Sequence, residues 1–201
     1  MSGCDHKETE PQFFAIKAAA CKARKPSLQV SDSDRMLGDG KMIIIRTLLP
    51  DEVSVLDEFI YEAIFVPQGV DPPPRSIIEN DDLQVYVRDF EESPHDHCLV
   101  AEYEGKIVGA VWSRMMNDYG HIDKQTPSLA MSHFKEYRGQ GIGTRLLRQM
   151  LDLLRQEGYG QVSLSVQKEN YALRMYLRAG FEVMTDRGGE VLMVAHLNGK
   201  E

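Results

Sequence analysis

Apolar residues recur at helical spacing in two long segments of the chain. Between residues 50 and 64 they fall on one helical face, and Pro50 suits the first turn of a helix. A second long helix is predicted over residues 141–157, where one face carries Ile142, Leu146, Leu147, Met150, Leu151 and Leu154. Gly158 follows directly, at the position where a glycine commonly ends a helix. Two shorter helices are predicted over residues 75–88 and 172–178.

Strand patterns occupy the segments between these helices. Alternating and β-branched apolar residues predict strands at 42–46, 98–103, 106–113, 128–134, 162–166, 181–184 and 191–197. Glu104-Gly105 is a hairpin turn signal, and three consecutive prolines at 72–74 require a loop. The order β-α-α-β-β-β-α-β-α-β-β predicts one mixed α+β domain over residues 42–201.

The first 41 residues differ from this domain in pattern. They contain one apolar patch, residues 13–20, followed by Ser-Asp and Gly-Asp-Gly stretches that are typical of loops. We expect residues 1–41 to be a flexible or partly helical N-terminal extension. The alternative is that a helix over residues 13–20 docks on the domain.

Composition and charge narrow the classes of partner. The chain has 23 Lys and Arg against 31 Asp and Glu, a net charge of −8, which disfavours a nucleic-acid partner. No apolar run approaches the roughly 20 residues of a membrane helix, and the N-terminus lacks a secretory signal pattern. Cys4, Cys21 and Cys98 show no paired spacing, so we expect reduced thiols in a cytoplasmic protein.

No metal site is predicted. The closest approach to a metal-binding motif is His95-x-His97, which is most simply a solvated linker before the strand at 98–103.

A glycine-rich segment precedes the helix at 141–157. Arg138-Gly-Gln-Gly-Ile-Gly-Thr144 places three glycines at a helix start, where unpaired N–H groups can hold phosphate oxygens. A Walker loop would need a lysine before Thr144, and a dinucleotide fingerprint would need Gly or Ala at that position. Both nucleotide interpretations are therefore excluded. A helix start whose glycines serve only packing stays open as the alternative.

A second motif lies downstream, in the order Asn170-x-Ala172, Tyr176 and Gly180-Phe181. Together with the Arg138-x-x-Gly141-x-Gly143 segment, it resembles the GCN5-related N-acetyltransferase (GNAT) superfamily. The resemblance is close over residues 98–184 and extends in element order over 42–197. It implies the acyl-CoA N-acyltransferase fold, in which helices flank a central, mostly antiparallel twisted sheet.

The resemblance also implies the co-substrate, acetyl-CoA, and the residues that bind it. The pyrophosphate would lie on the amides of the glycine loop, and the preceding strand would lend main-chain groups to the pantetheine arm. The implied cofactor-binding residues are Met131, Ser132, His133, Arg138, Gly139, Gln140, Gly141, Ile142, Gly143, Thr144, Asn170 and Tyr176. His133 departs from the apolar residue usual in the family at that position. Asn170 fits equally well as a cap of the helix at 172–178.

Acyl transfer to an amine needs a base, an oxyanion donor and a proton for the departing thiolate. Tyr176 matches the family tyrosine that acts as the general acid, although a core aromatic is the alternative. His133 is the nearest match to the strand amide that serves as oxyanion donor. The base stays open: Glu62 and Asp118 are the main candidates, His121 and Asp123 of the same polar loop as Asp118 are further ones, and a water chain could also serve.

These observations predict an N-acetyltransferase that moves acetyl from acetyl-CoA to a primary amine of a small molecule. An acceptor that is a protein terminus or a lysine stays open, as does a non-catalytic acyl-CoA sensor. Neither nucleic acid nor membrane is an expected partner, and a homodimer is compatible with this prediction.

Overall fold

A computed structural model describes residues 42–198, so the predicted extension, with Cys4 and Cys21, lies outside the described residues. Within them the strands are β1 (Ile43–Thr47), β2 (His97–Tyr103), β3 (Lys106–Arg114), β4 (Ser128–His133), β5 (Gln161–Gln167), β6 (Glu182–Asp186) and β7 (Glu190–His196). The α-helices are α1 (Leu56–Ala63), α2 (Asp81–Gln84), α3 (Ile142–Gln156) and α4 (Ala172–Arg178). The predicted element order is confirmed, and all predicted strands form.

One sheet contains all seven strands, in the order β1-β2-β3-β4-β5-β7-β6. Every neighbouring pair is antiparallel except β4 and β5, which are parallel. These two strands pair at a single register position, Ser128 opposite Ser163, and then separate. The predicted α+β class with a mostly antiparallel sheet is confirmed, and the sheet opens into a cleft beyond that position.

The predicted helix over residues 75–88 is wrong in extent. The chain forms a 3-10 turn over Arg75–Glu79 and then the single-turn helix α2. Asn80 interrupts the pattern because its backbone is extended and its side chain accepts a hydrogen bond from the Asp82 N–H at 3.0 Å. Such a local side-chain bond starts a new helix and prevents the preceding turn from continuing into it.

Helix α3 packs its apolar face on the sheet, as its periodicity predicts. The buried side chains of that face include Leu146, Leu147, Met150 and Leu154. Each is almost fully removed from water, which contributes roughly 1.5–3 kcal/mol per side chain. The helix ends as predicted before Gly158, whose N–H donates to the Arg155 carbonyl at 3.1 Å.

The sheet has a core on each face. On the α3 face, residues of α3 and α4 pack against alternate positions of β4, β5 and β7. On the opposite face, which we call the α1 face, Phe59, Ile60 and Trp112 form a smaller core. Alternation along β4 therefore directs Leu129 and Met131 toward α3, while Ala130 lies on the α1 face.

The His95-x-His97 segment differs from the expected solvated linker. His95 is exposed, but His97 begins β2 and is buried. Its ring lies edge-on to the Tyr159 ring, at a centroid distance of 5.9 Å. Among residues 42–198 no group of three or more His, Cys, Asp or Glu is placed to hold a metal ion. Within the same range, no helix is long and apolar enough to span a bilayer.

Candidate active site

Main-chain groups of β4 form one wall of the cleft. The Phe134 N–H donates to the Val108 carbonyl at 3.0 Å, which identifies the residues of β4 that bond to β3. Because antiparallel strands bond through alternate residues, the N–H and C=O groups of Leu129, Met131 and His133 point away from β3. Beyond the single contact with β5 these groups line the cleft, where a peptide-like ligand could bond to them.

The opposite wall is formed by β5. The Leu197 N–H donates to the Gly160 carbonyl at 2.9 Å, so the even-numbered residues of β5 bond to β7. The main-chain groups of Ser163 and Ser165 therefore face β4. Ser163 uses its N–H to bond the Pro127 carbonyl at 3.0 Å, whereas Ser165 lies past the point where the strands separate.

The glycine loop lies at the open end of the cleft, before α3. Gly139 and Gly141 have φ angles of +74° and +80°, a conformation that side-chain-bearing residues rarely adopt. With the backbone so turned, the amides of residues 139–144 donate no hydrogen bond to any described residue. A run of unpaired amides at the positive end of a helix dipole is a site for phosphate oxygens. These residues therefore fit the pyrophosphate that the resemblance assigns to them.

Gly143 lies inside the first turn of α3, next to the cleft. A β-carbon there would lie 3.5 Å from the Met175 Sδ, 3.6 Å from the Met131 Cε and 3.7 Å from the His133 Cε1. The helix start, the end of β4 and α4 thus converge on one point. The predicted residues Met131, His133, Gly143 and Tyr176 come from these three elements, and the fold brings the elements together.

Other predicted cofactor residues use their side chains within the protein. The Ser132 Oγ donates to the Phe59 carbonyl at 2.6 Å, and its main-chain groups face β3 and not the cleft. The Gln140 Nε2 donates to the Glu136 carbonyl at 3.0 Å. Asn170 caps α4, because its Oδ1 accepts from the Ala172 N–H at 2.9 Å. The capping role considered for Asn170 is therefore present in the structure.

Arg138 and Glu62 form an ion pair at the open end of the cleft. The Arg138 Nη2 lies 3.4 Å from the Glu62 Oε2, and Glu62 is the penultimate residue of α1. The Arg138 Nε is buried and makes no hydrogen bond with the described residues. One of the two candidate bases is thus engaged with the arginine that opens the glycine loop.

His133 is held neutral by its surroundings. Burial, together with the Arg138 charge, lowers the pKa of its imidazole from 6.5 to about 4. Its β-carbon packs directly on Gly109 of β3, where an added β-carbon would approach it to 2.8 Å. The polar ring thus occupies a tight, partly apolar position as an uncharged group.

Tyr176 lies in the core of the α3 face, beside the cleft. Its ring meets the Phe181 ring edge-on at a centroid distance of 5.6 Å. Burial raises the pKa of the Tyr176 phenol, so the hydroxyl stays protonated at neutral pH. No described residue hydrogen-bonds to that hydroxyl.

Asp118 lies at the closed end of the cleft, on the α1 face. Its Oδ1 accepts a 2.6 Å hydrogen bond from the Ser128 Oγ, which is 3.4 Å from the Ser163 Oγ. Burial and the neighbouring Asp118 carboxylate raise the pKa of the Tyr86 phenol. We call Tyr86, Asp118, Ser128 and Ser163 the branch-point cluster, because they surround the position where β4 and β5 separate.

The remaining candidates of the β3–β4 loop stabilise the loop itself. The His121 Nδ1 lies 3.0 Å from the Met116 carbonyl oxygen. Asp123 is exposed and accepts from the Gln125 N–H at 2.8 Å, a bond that lowers the pKa of its carboxyl. Neither side chain joins the branch-point cluster.

Sequence reasoning missed four polar residues of this region, namely Tyr86, Ser128, Ser163 and Ser165. A signal was present for the two serines of β5, because they alternate with buried valine and leucine in a strand at the centre of the sheet. Serine at such positions is compatible with a plain strand, so their role became visible only from their neighbours in space.

Comparison with known proteins agrees with this geometry. Residues 63–181 match the Acetyltransferase (GNAT) family, and this segment is more than half of the chain. The chain therefore belongs to this family, and the described region is a GNAT acetyltransferase domain. The resemblance inferred from the two motifs is confirmed.

Two relatives show how far the similarity extends. N-acetyltransferase 8B of Mus musculus is 33% identical over 105 residues, 50% of this chain and 45% of the mouse protein. The putative ribosomal protein bS18-alanine N-acetyltransferase of Bacillus subtilis is 29% identical over 113 residues, 51% of this chain and 70% of that protein. The chain thus spans about half the length of the mouse relative.

The fold is similar to that of a solved acetyltransferase. The paia N-acetyltransferase of Thermoplasma acidophilum, in complex with coenzyme A, superimposes with a TM-score of 0.57 at 20% identity. The superposition covers 77% of this chain and 98% of that protein. The likeness supports the predicted acyl-CoA N-acyltransferase fold.

Proposed function

We propose that this protein transfers acetyl from acetyl-CoA to a primary amine of a small molecule, by direct attack in a ternary complex. The observation that carries the proposal is the β4–β5 cleft, with unpaired glycine-loop amides at its open end and a carboxylate at its closed end. The coenzyme A complex of the Thermoplasma protein, which has the same fold, supports the choice of co-substrate.

The cleft fits an extended acyl-CoA. With the pyrophosphate on the glycine loop, the pantetheine arm would run along the exposed main-chain edge of β4. A six-residue strand spans roughly 17 Å, which is comparable to the length of that arm. The thioester would then reach the closed end, close to the branch-point cluster.

Each chemical demand of the reaction has a residue on this path. We assign Asp118 as the base, because it lies at the thioester end of the cleft, whereas Glu62 is paired with Arg138 at the other end. Tyr176 supplies the proton for the departing thiolate. A main-chain amide of the β4 edge stabilises the oxyanion. His133, the residue matched from sequence, ends β4 at the open end, so we assign this role to the Met131 amide, which faces the cleft nearer the closed end.

Two loop regions, each held by a side-chain hydrogen bond, cover the acceptor side of the cleft, and this cover favours a small acceptor. The Tyr61 hydroxyl donates to the Pro73 carbonyl at 2.7 Å and holds the proline loop near α1. The Arg187 Nη1 donates to the Tyr119 carbonyl at 2.6 Å and joins the β6–β7 turn to the β3–β4 loop. The α-amine of a protein terminus is the second candidate, which the similarity to the putative ribosomal protein bS18-alanine N-acetyltransferase of Bacillus subtilis supports.

The test is a thiol-release assay with acetyl-CoA over a panel of small amines and short peptides. We expect turnover with a small amine and a decrease of about 10²–10⁴-fold in Asp118→Asn. Glu62→Gln, which removes the alternative base, is expected to retain most of the rate. If only Glu62→Gln lost turnover, the base would be Glu62 at the open end of the cleft. If the wild-type protein bound acetyl-CoA but turned over no amine of the panel, the protein would be a sensor.

A further inference from the structure

Ser165 occupies a distinct place on β5. It lies two residues beyond Ser163, the position where β5 pairs with β4. Because side chains alternate along a strand, Ser165 faces the same side of the sheet as Ser163 and the rest of the branch-point cluster. Ser165 is therefore the first residue of β5 past the branch point whose side chain lies on the Asp118 side.

The hydroxyl of Ser165 lacks a hydrogen-bond partner. Its Oγ is shielded from solvent and bonds to none of the described residues. Ser163 and Ser128, by contrast, use their hydroxyls within the cluster. A shielded polar group without a partner destabilises a fold, so a hydroxyl here is explained better by a ligand than by packing.

We propose that the Ser165 Oγ accepts a hydrogen bond from the acceptor amine and orients the nitrogen lone pair toward the thioester carbonyl. The inference rests on the proposed function. In the reaction a C–N bond forms and the C–S bond breaks, the surplus amine proton goes to Asp118, and the thiolate takes a proton from Tyr176. Ser165 keeps its own proton throughout. A neutral hydroxyl suits the neutral amine, which is the species that attacks.

The acceptor has to reach this hydroxyl between the sheet and the β3–β4 loop. Gly120 of that loop lies over the branch point, where an added β-carbon would be 3.0 Å from the Ser128 Oγ and 3.2 Å from the Leu164 Cα. The same β-carbon would be 3.1 Å from the Asp118 Oδ2, so the loop is closely packed at the branch point itself. The amine would therefore bind past Gly120, on the Ser165 side of the Asp118 carboxylate.

The experiment compares Ser165→Ala with Ser165→Thr, which keeps a hydroxyl. The probe is the small amine with the highest wild-type turnover, titrated by calorimetry into protein saturated with coenzyme A. We expect Ser165→Ala to bind this amine about tenfold more weakly and to raise its KM similarly, while acetyl-CoA affinity stays unchanged. Ser165→Thr is expected to stay within threefold of the wild type.

Thermal melting separates this role from a structural one. Removing an unpartnered hydroxyl should leave the melting temperature unchanged or raise it, whereas loss of a structural bond would lower it. Ser113→Ala is the matched control, because Ser113 is a buried serine on β3 whose Oγ contacts the Met150 Sδ at 3.8 Å. It should leave amine affinity unchanged.

Two results would overturn the assignment: unchanged amine affinity in Ser165→Ala, or a loss of acetyl-CoA affinity in place of amine affinity. A wild-type protein without turnover on the whole panel would instead contradict the proposed function itself.

Discussion

At the residue scale, Tyr176 combines a packed ring with a hydroxyl that no described residue engages. Tyr176→Phe keeps the contact with Phe181 and removes only the hydroxyl. If the hydroxyl protonates the thiolate, turnover should fall by about 10²–10⁴-fold while acetyl-CoA affinity barely changes. Steady-state kinetics and cofactor titration measure both quantities. A mutant within threefold of the parent rate, with chemistry rate-limiting, would remove Tyr176 from the catalytic residues.

His133 makes a pH-dependent contribution to stability. The folded protein keeps its imidazole neutral down to about pH 4, whereas the unfolded chain takes up a proton near pH 6.5. The unfolded state therefore binds more protons in this window, and wild-type stability falls as the pH drops from 6.5 toward 4. His133→Val lacks this titrating group. Between pH 7 and pH 5 its free energy of unfolding should therefore fall by roughly 1–2 kcal/mol less than that of the wild type.

Urea unfolding at both pH values measures this difference. His196→Gln is the control, because it changes an exposed histidine at the end of β7. Parallel pH dependence in wild type and His133→Val would show that the imidazole is protonated in the folded protein.

At the scale of elements, the start of α3 is where we expect acetyl-CoA to bind. Gly143→Glu would place a negative charge among the unpaired amides, between Met131 and Met175, and should abolish acetyl-CoA binding. Gly143→Ala is the matched control, since a β-carbon there meets only ordinary contacts of 3.5–3.7 Å and alanine favours a helix. Fluorescence titration of both variants, after circular dichroism has verified folding, gives the comparison. Retained binding in folded Gly143→Glu would mean that the glycines serve packing alone.

At the scale of the whole molecule, acetyl-CoA should stabilise the protein, because in the proposed binding mode it would contact the glycine loop and both walls of the cleft. At a concentration 100 times its Kd the expected stabilisation is about 2.7 kcal/mol. NAD and ATP, which lack the pantetheine arm, should leave the melting temperature unchanged. Differential scanning fluorimetry makes the comparison. A melting temperature insensitive to saturating acetyl-CoA would contradict the assignment of the cofactor site.

The local pattern of the sequence determined most of the elements and the family. The apolar face of α3, the hairpin at Glu104-Gly105 and the two motifs around Arg138 and Tyr176 depend on spacings of a few residues. Such spacings follow from the periods of helix and strand, which are properties of the backbone. For the same reason the glycine loop could be predicted as a candidate anion site, since the chemistry of such a site is carried by consecutive amides.

Only the tertiary structure decided which polar side chains share the cleft. Glu62 meets Arg138 across 76 positions of the chain, and Ser128 meets Ser163 across 35. These long-range contacts depend on the tertiary fold, in which β4 and β5 lie side by side and then separate. The local periodicity of the sequence does not predict that arrangement. Sequence reasoning could therefore name Glu62 and Asp118 as equal candidates. The sheet places Glu62 beside an arginine at the open end and Asp118 among hydroxyls at the closed end, which is why we propose Asp118 as the base.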